Sequence, residues 1–509
     1  MLLDFPILSL LVFLPLGGAV ATYLASSSDR AAKLVALAFS LVVLALAAFL
    51  LLGFIWPEMF SLVPSDRFGM TYYAVERSEW VPSLGIQYLL GVDELSVLLV
   101  FLNALLTPLA LAFSWDEHER VPEFFAMFLF METTVNGVFL SLDMFQFLIF
   151  WEVGLVPMYF IISVWGGPRK RYAAMKFFLY TFLASLPLLV TVFAFSFFTG
   201  TFDMTEIIGT TPIPAGEIGD LMFLAMLVAF GTKLPTWPLH TWLPDAHVEA
   251  PTGGSVLLAG ILLKLGGYGI VRFDIQMLPD AATSLYWVLV VLGVVSILYG
   301  AIVCLAQDDL KRLVAFSSVS HMGFVTLGLG AGVYAYTQVG AEPGAVLGFA
   351  GAVFQMFAHG LVSAALFMVA GSLGHKIGTR NISELGGIAR RVPRMATFMM
   401  VAFLASLGLP GLVGFVAEFA VFLGVYAAFG LLVLVPILTV VFTAAYYIWA
   451  MERAIFGPPN PKWEGIKDLE SFETAPLSVL VAAFALFGIL PFFALEMIAG
   501  WSEVVLGGM

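Results

Sequence analysis

The chain has 509 residues, of which 61% are hydrophobic, 15% aromatic and 11% charged, with a formal net charge of −13. The charged share lies well under the roughly 25% of soluble domains, and with a mean hydropathy of +1.01 the chain reads as an integral membrane protein with no room for a sizeable soluble domain. The acidic balance argues against nucleic acid as a partner, and a lone cysteine, Cys304, with six histidines and no CxxCH sequence leaves no evident haem, iron–sulfur or Cys-rich zinc site.

Apolar runs of about 20 residues, the length that crosses ~30 Å of hydrocarbon, recur from end to end. Residues 1–24 lack a basic n-region and read as a first span, not a signal peptide. Fourteen spans are expected, near 3–24, 31–56, 91–114, 121–140, 142–164, 172–199, 220–243, 253–272, 283–304, 310–330, 349–374, 396–424, 429–451 and 474–500. Of the Lys and Arg residues, sixteen fall in loops after odd-numbered spans, three in loops after even-numbered spans and three inside spans. Because basic residues collect on the cytoplasmic side, the odd loops are expected to be cytoplasmic and both termini outside.

Several charges remain in the apolar stretches. Glu132, Glu152, Lys233, Lys264 and Glu418 lie inside expected spans, with His321 and His359. At roughly 2.5–3.5 kcal/mol each on insertion scales, five such groups cost on the order of 12–17 kcal/mol, so their recurrence along the chain points to function more than to bracing. Gln355, His359 and Ser363 follow i, i+4, i+8 and form one polar stripe of a helix. Ser317, Ser318, Ser320 and His321 cluster in "AFSSVSHMG".

Lys233 stands two residues before Pro235 in "FGTKLPTWPLHTWLPDAH". Proline lacks an N–H and its ring clashes with the carbonyl four residues back, so the helix should break near residues 231–233 and free carbonyls that need protein or water around them. A second break is expected at Pro410, between Gly408 and Gly411, two turns before Glu418. Spans four to eight and nine to thirteen are five-helix units with the break in the fourth helix of each. An odd number makes the second unit enter from the opposite side, the inverted-repeat, broken-helix plan of transporters. The expected fold is an all-α polytopic membrane protein: residues 1–120 as N-terminal helices, 121–274 as the first repeat, 283–456 as the second, inverted repeat, and 474–509 as the last helix.

"VWGGPRKRYAAMKFFLYTF", "FWEVGLVPMY", "KLPTWPLHTWLPDAHVEAPTGGSVLLAGILLKLGGYG", "FSSVSHMG" and "LGLPGLVGFVAEF" resemble the proton-translocating antiporter-like subunits of respiratory complex I, with the strongest likeness to its NuoM type, chain four in mitochondria. The likeness covers about residues 90–460. It implies two inverted five-helix bundles joined by a polar axis at mid-membrane. It also implies that Glu152 and Lys233 form the coupled Glu/Lys pair, Lys264 is the central lysine, Glu418 is the acid of span twelve, and His321 and His359 relay protons. Sister types place Lys where Glu418 stands and NuoL-type relatives carry a long lateral helix after span fourteen; both features point to NuoM.

The expected activity is proton translocation driven by a redox module in other polypeptides, with no redox cofactor in this chain. Partners would be the NuoL-type and NuoN-type subunits, lipids and protons, in a bacterial or archaeal plasma membrane. At ~10 Å and an effective dielectric near 20, Glu152 and Lys233 would interact by roughly 1.7 kcal/mol, enough to change lysine proton affinity about tenfold. The proton would pass from Lys233 through Lys264, His321 and His359 to Glu418. His240 reads either as a proton-access group or as a hydrogen-bonding residue at a span end, Asp245 and His247 as a cytoplasmic mouth or as capping residues, and Glu132 as a packed partner or part of the access region. The alternatives are an Mrp-type cation/proton antiporter subunit, the equivalent pump subunit of an F420H2-, ferredoxin- or formate-linked complex, and a non-transporting scaffold.

Overall fold

The expected spans are helical, and their ends fall where the sequence offers a cap or a proline. A computed structural model describes residues 5–57, 62, 64–67, 70–210, 212–213, 215–340, 343–458 and 460–509. The helices are, in order, α1 (Ile7–Leu24), α2 (Asp29–Ile55), α3 (Glu94–Phe113), α4 (Val121–Leu140), α5 (Met144–Val153), α6 (Leu155–Trp165), α7 (Lys170–Thr199), α8 (Met204–Thr210), α9 (Glu217–Lys233), α10 (Trp242–Glu249), α11 (Thr252–Leu257), α12 (Leu263–Gly269), α13 (Pro279–Leu305), α14 (Leu310–Tyr334), α15 (Pro343–Ile377), α16 (Pro393–Ser406), α17 (Val413–Phe429), α18 (Leu434–Met451), α19 (Ser471–Ile489) and α20 (Phe492–Gly507). Asp93, Asp143 and Asp309 each cap a helix by accepting backbone N–H groups of the first turn.

Twelve helical stretches among the described residues are long and apolar enough to cross a membrane. The seventh expected span is absent from that set because it breaks after Lys233, and the first half of the twelfth, α16, has only 14 residues. The second half, α17, runs on into α18 within one stretch, Val413–Phe456. The last expected span, 474–500, needs correction: it is two helices, α19 and α20, separated at Leu490 and Pro491. Proline cannot donate to the preceding turn and pushes the residue before it out of the helical region, so one helix ends there and another begins.

The expected all-α fold also carries a small sheet. Residues expected to be an outer loop form an antiparallel β1 (Pro64–Arg67), β2 (Met70–Val81) and β3 (Ile86–Val92), in that order. β2 is rich in aromatic and β-branched residues, and Gly85 closes its turn to β3 at φ 70°. From β2, the Glu76 carboxylate accepts the backbone N–H of Leu8 at 2.8 Å and of Ser9 at 3.1 Å, an anion set on the positive end of α1.

Polar contacts sort the loops onto two faces. On one, Lys33 donates to Trp115 and Glu117 carbonyls, Arg169 meets Asp245, Lys311 donates to Ala250 O, Arg380 meets Asp309, His375 meets Asp116, and Arg391 meets Glu464. All of these follow odd-numbered spans. On the other face Arg67 pairs with Asp203, Gln87 N–H donates to Asp143, and Ser284 donates to Asp220, all following even-numbered spans.

One ion pair on this second face is fully dry. Arg272 Nη2 lies 2.7 Å from Asp93 Oδ2, with side chains 1% and 0% exposed. Arg272 also donates to Gln276 Oε1 at 2.9 Å and Tyr268 Oη at 3.3 Å, so its fork is filled and ties the start of α3 to the end of the α11–α12 span. Removing one partner of such a pair strands the other. Arg272→Leu is expected to cost ~3–5 kcal/mol, read as a lower thermal unfolding midpoint of the purified protein, and Asp93→Asn in the same chain should return part of the loss.

Candidate functional site

Pro235 acts where the sequence placed it. α9 ends at Lys233, Leu234 N–H still bonds to Phe230 O at 2.8 Å, and the chain then turns with Thr236 N–H on Gly231 O before α10 begins. The carbonyl of Thr232, freed by the break, accepts the indole N–H of Trp242 at 3.0 Å. Lys233 Nζ lies 3.7 Å over the ring of Trp151 and 3.3 Å from Trp151 O. Glu152, the next residue, is not within ion-pair distance of Lys233, and its Oε2 is buried with no hydrogen-bond partner.

The broken helix rests on Gly266 of α12. A Cβ there would meet Phe230 O and stand 2.5 Å from Leu234 N, so only glycine permits this approach of α12 to the break. Just before Lys264 the helix widens into a π-turn, Leu258–Leu262. Such turns loosen the i→i−4 ladder, and Lys264 Nζ donates to the carbonyl of Ala259 inside it. The same Nζ lies 2.8 Å from His359 Nδ1 on α15. Lys264 is 0% exposed and has no carboxylate partner among the described residues.

From His359 the polar line continues. Its ring centroid lies 5.8 Å from that of His321 on α14, and His321 Nδ1 is 2.9 Å from Glu418 Oε1 on α17. His321 Nε2 faces Ser406 Oγ at 3.1 Å, and Ser406 Oγ faces Tyr447 Oη at 2.7 Å. Glu418 follows the second break, where Gly408 and Gly411 take φ 81° and 92° between α16 and α17. The spatial order is Lys264, His359, His321, Glu418. The two histidines are reversed from the order expected from the sequence, because His359 of α15 meets Lys264 while His321 of α14 meets Glu418.

Other expected residues sit apart from this line. Glu132 is 0% exposed, with neither carboxylate oxygen partnered, and no hydrogen bond or ion pair joins it to the other ionisable groups. His240 packs its ring at 4.9 Å from Tyr299 and 6.2 Å from Phe316, and its Nδ1 is unpartnered. Asp245 pairs with Lys176 at 2.6 Å and Arg169 at 3.9 Å. His247 is 0% exposed, stacks on Phe367 at 4.2 Å and 9°, and neither ring nitrogen has a partner. In the His359 stripe, Gln355 Oε1 is also unpartnered, whereas the serines near His321 bond to backbone carbonyls of Val314 and Ile297. Trp151, Phe367, Ser406 and Tyr447 carry no signal of their own in the sequence beyond the neighbour Glu152 for Trp151.

Residues 141–443 match the family described as NADH:quinone oxidoreductase/Mrp antiporter, TM. The chain belongs to this family. It is 41% identical to F(420)H(2) dehydrogenase subunit M of Methanosarcina mazei, over 98% of each chain. It is 39% identical to NADH-quinone oxidoreductase subunit M of Rhodobacter capsulatus, over 97% of this chain and 94% of that one. Among solved structures it is similar to a chain of respiratory complex I from Thermus thermophilus with bound NADH, with a TM-score of 0.86, 28% identity and coverage of 98% and 99%. An Mrp complex chain from Dietzia sp. shares the fold, with a TM-score of 0.80 at 24% identity. The chain is a subunit-M-type, antiporter-like, multi-pass membrane subunit of a respiratory complex.

The Trp151 ring and carbonyl together hold the Lys233 ammonium. A desolvated cation on an indole face is stabilised by ~2 kcal/mol, so Trp151→Leu should let the ammonium swing to the carboxylate. A cryo-EM map of the variant is expected to place Lys233 Nζ within 4 Å of Glu152.

Proposed function

We propose that this subunit moves protons along the midplane line and that its residues take the roles their contacts suggest. Lys233, resting on the Trp151 ring, and Glu152 form the input pair. Lys264 and His359 exchange a proton across their 2.8 Å contact. From His359 the proton would reach His321 by way of water at Nε2, on the Ser406 side, and His321 would release one from Nδ1 to Glu418 Oε1. The observation that carries this reading is the contact series Lys264–His359–His321–Glu418, assembled from four helices inside apolar packing.

Lys264 is held by the Ala259 carbonyl and His359 Nδ1 with no carboxylate, so its charge can change without stranding a fixed counter-ion. The subunit would work in a complex I-type quinone oxidoreductase beside NuoL-type and NuoN-type subunits, with the redox cofactors in partner chains. NADH and F420H2 both stand as donors by likeness to relatives. The basic loops after odd-numbered spans would face the cytoplasm, as the bias of Lys and Arg implies, with both termini on the other side. The domains would be 1–120, the repeats 121–274 and 283–456, and 474–509.

The test is the native complex in closed vesicles, reading protons moved per electron. Lys264→Met and Glu418→Gln are each expected to lower that ratio while the complex still assembles and reduces quinone. Unchanged ratios in both would sink the reading.

A further inference from the structure

The break after Lys233 is held in part from outside its own segment. Between Leu234 and Leu239 the chain has four backbone N–H groups, since Pro235 and Pro238 carry none. Three of them bond locally: Leu234 donates to Phe230 O, Thr236 to Gly231 O and Leu239 to Thr236 O. The fourth, on Trp237, donates to Ser296 Oγ of α13 at 2.9 Å, and Ser296 is 0% exposed. An N–H freed by a helix break at membrane depth needs a protein acceptor or water, because lipid offers none. The Trp237 side chain is 38% exposed, so this residue is tied chiefly through its backbone.

Ser296 stands on a helix that is itself locked in place. Three residues on, Tyr299 packs its ring 4.9 Å from that of His240, so neighbouring positions of α13 meet the break at Trp237 and at His240. Along the stripe Gly293, Ile297 and Gly300, α13 touches α14. A Cβ on Gly293 would stand 2.6 Å from Leu327 N, and one on Gly300 would stand 2.6 Å from Ser320 N. Ser320, the residue before His321, donates from Oγ to the carbonyl of Ile297 at 3.1 Å, and Ile297 follows Ser296. Close contacts thus run from the helix that carries His321, through α13, to a residue four positions past Lys233. Glu152 of α5 is the charged group acting on Lys233, whereas Ser296 and Tyr299 of α13 are neutral at the break, so α13 works through position and not through charge.

We infer that Ser296 is a positioning residue for Lys233: its hydroxyl pins the break to α13 and so holds the ammonium at the place from which it takes and gives its proton. The inference rests on the reading of Lys233 as one half of the input pair. Ser296 acts through the turn and bonds to Trp237, not to the ammonium, whose carbonyl contact is Trp151 O. Without that acceptor the Trp237 N–H is stranded in apolar surroundings, and the turn between α9 and α10 must shift to satisfy it. Lys233 is the last residue of α9 and moves with the turn.

The test is the assembled complex in closed vesicles, with protons moved per electron measured against pH in Ser296→Ala, Ser296→Cys and Ser296→Thr. Threonine keeps the oxygen acceptor, cysteine offers a weak one and alanine none. Ser296→Thr is expected to follow the parent profile. Ser296→Ala should move its midpoint by about one pH unit, a tenfold change in proton affinity, and Ser296→Cys should fall between them. A role of side-chain size would instead group alanine with serine and cysteine with threonine. A profile unmoved in Ser296→Ala, or displaced alike in Ser296→Cys and Ser296→Thr, therefore overturns the inference. Should Ser296→Ala fail to assemble, the contrast between the cysteine and threonine variants decides alone. Lys233→Met gives a second reading: by itself it is expected to lower the ratio, and adding Ser296→Ala should lower it no further. A further loss in the double variant shows Ser296 acting elsewhere and overturns the inference while leaving Lys233 its role. An unchanged ratio in Lys233→Met removes the input reading and this inference with it.

Discussion

A lysine ammonium in the middle of a membrane, with no carboxylate in reach, must be held by dipoles. Lys264 is in that position, and much of the surrounding backbone follows from it. A π-turn opens the ladder so that the Ala259 carbonyl can face the ammonium, and His359 supplies the second partner at 2.8 Å. Neutral partners of this kind offset less of the cost of burying a charge than a carboxylate would. They also leave the lysine able to lose its proton without leaving a buried counter-ion behind.

The contrast with Arg272 makes the point concrete. Arg272 is as buried as Lys264, yet its guanidinium is matched by Asp93, Gln276 and Tyr268. A filled fork on a side chain that does not deprotonate is a fastening. Glu152, Glu132 and His247 are the opposite, with oxygens or nitrogens that no protein group satisfies. Buried polar atoms left open in this way are costly, and here they lie among residues that can change charge.

How much of this could be read from the sequence depends on the distance along the chain over which each feature is decided. Both helix breaks were legible, because Pro235 and the glycines flanking Pro410 act within a few residues. The alternation of basic loops was legible for the same reason, and the contacts of each face keep to it. The order of the histidines was not, since Lys264 and His359 are 95 positions apart and His321 and Glu418 are 97. Trp151 escaped notice because its part is played by a ring face toward Lys233, 82 positions on, and aromatic residues are abundant throughout this chain. The sheet of residues 64–92 was hidden by a hydropathy reading that searches for long apolar runs, and the split between α19 and α20 by passing over one proline.

Beyond His321 the line ends in two hydroxyls, Ser406 and Tyr447, in which either oxygen can be the donor. An imidazole or hydroxyl that hands on a proton finishes with its hydrogen pointing the other way. Every group in such a row must turn round before it can carry again. Traffic through this branch is therefore single file with a pause for reorientation, and the packing around Tyr447, 0% exposed against Phe403 and Tyr446, sets how freely its hydroxyl can rotate and so how long that pause lasts.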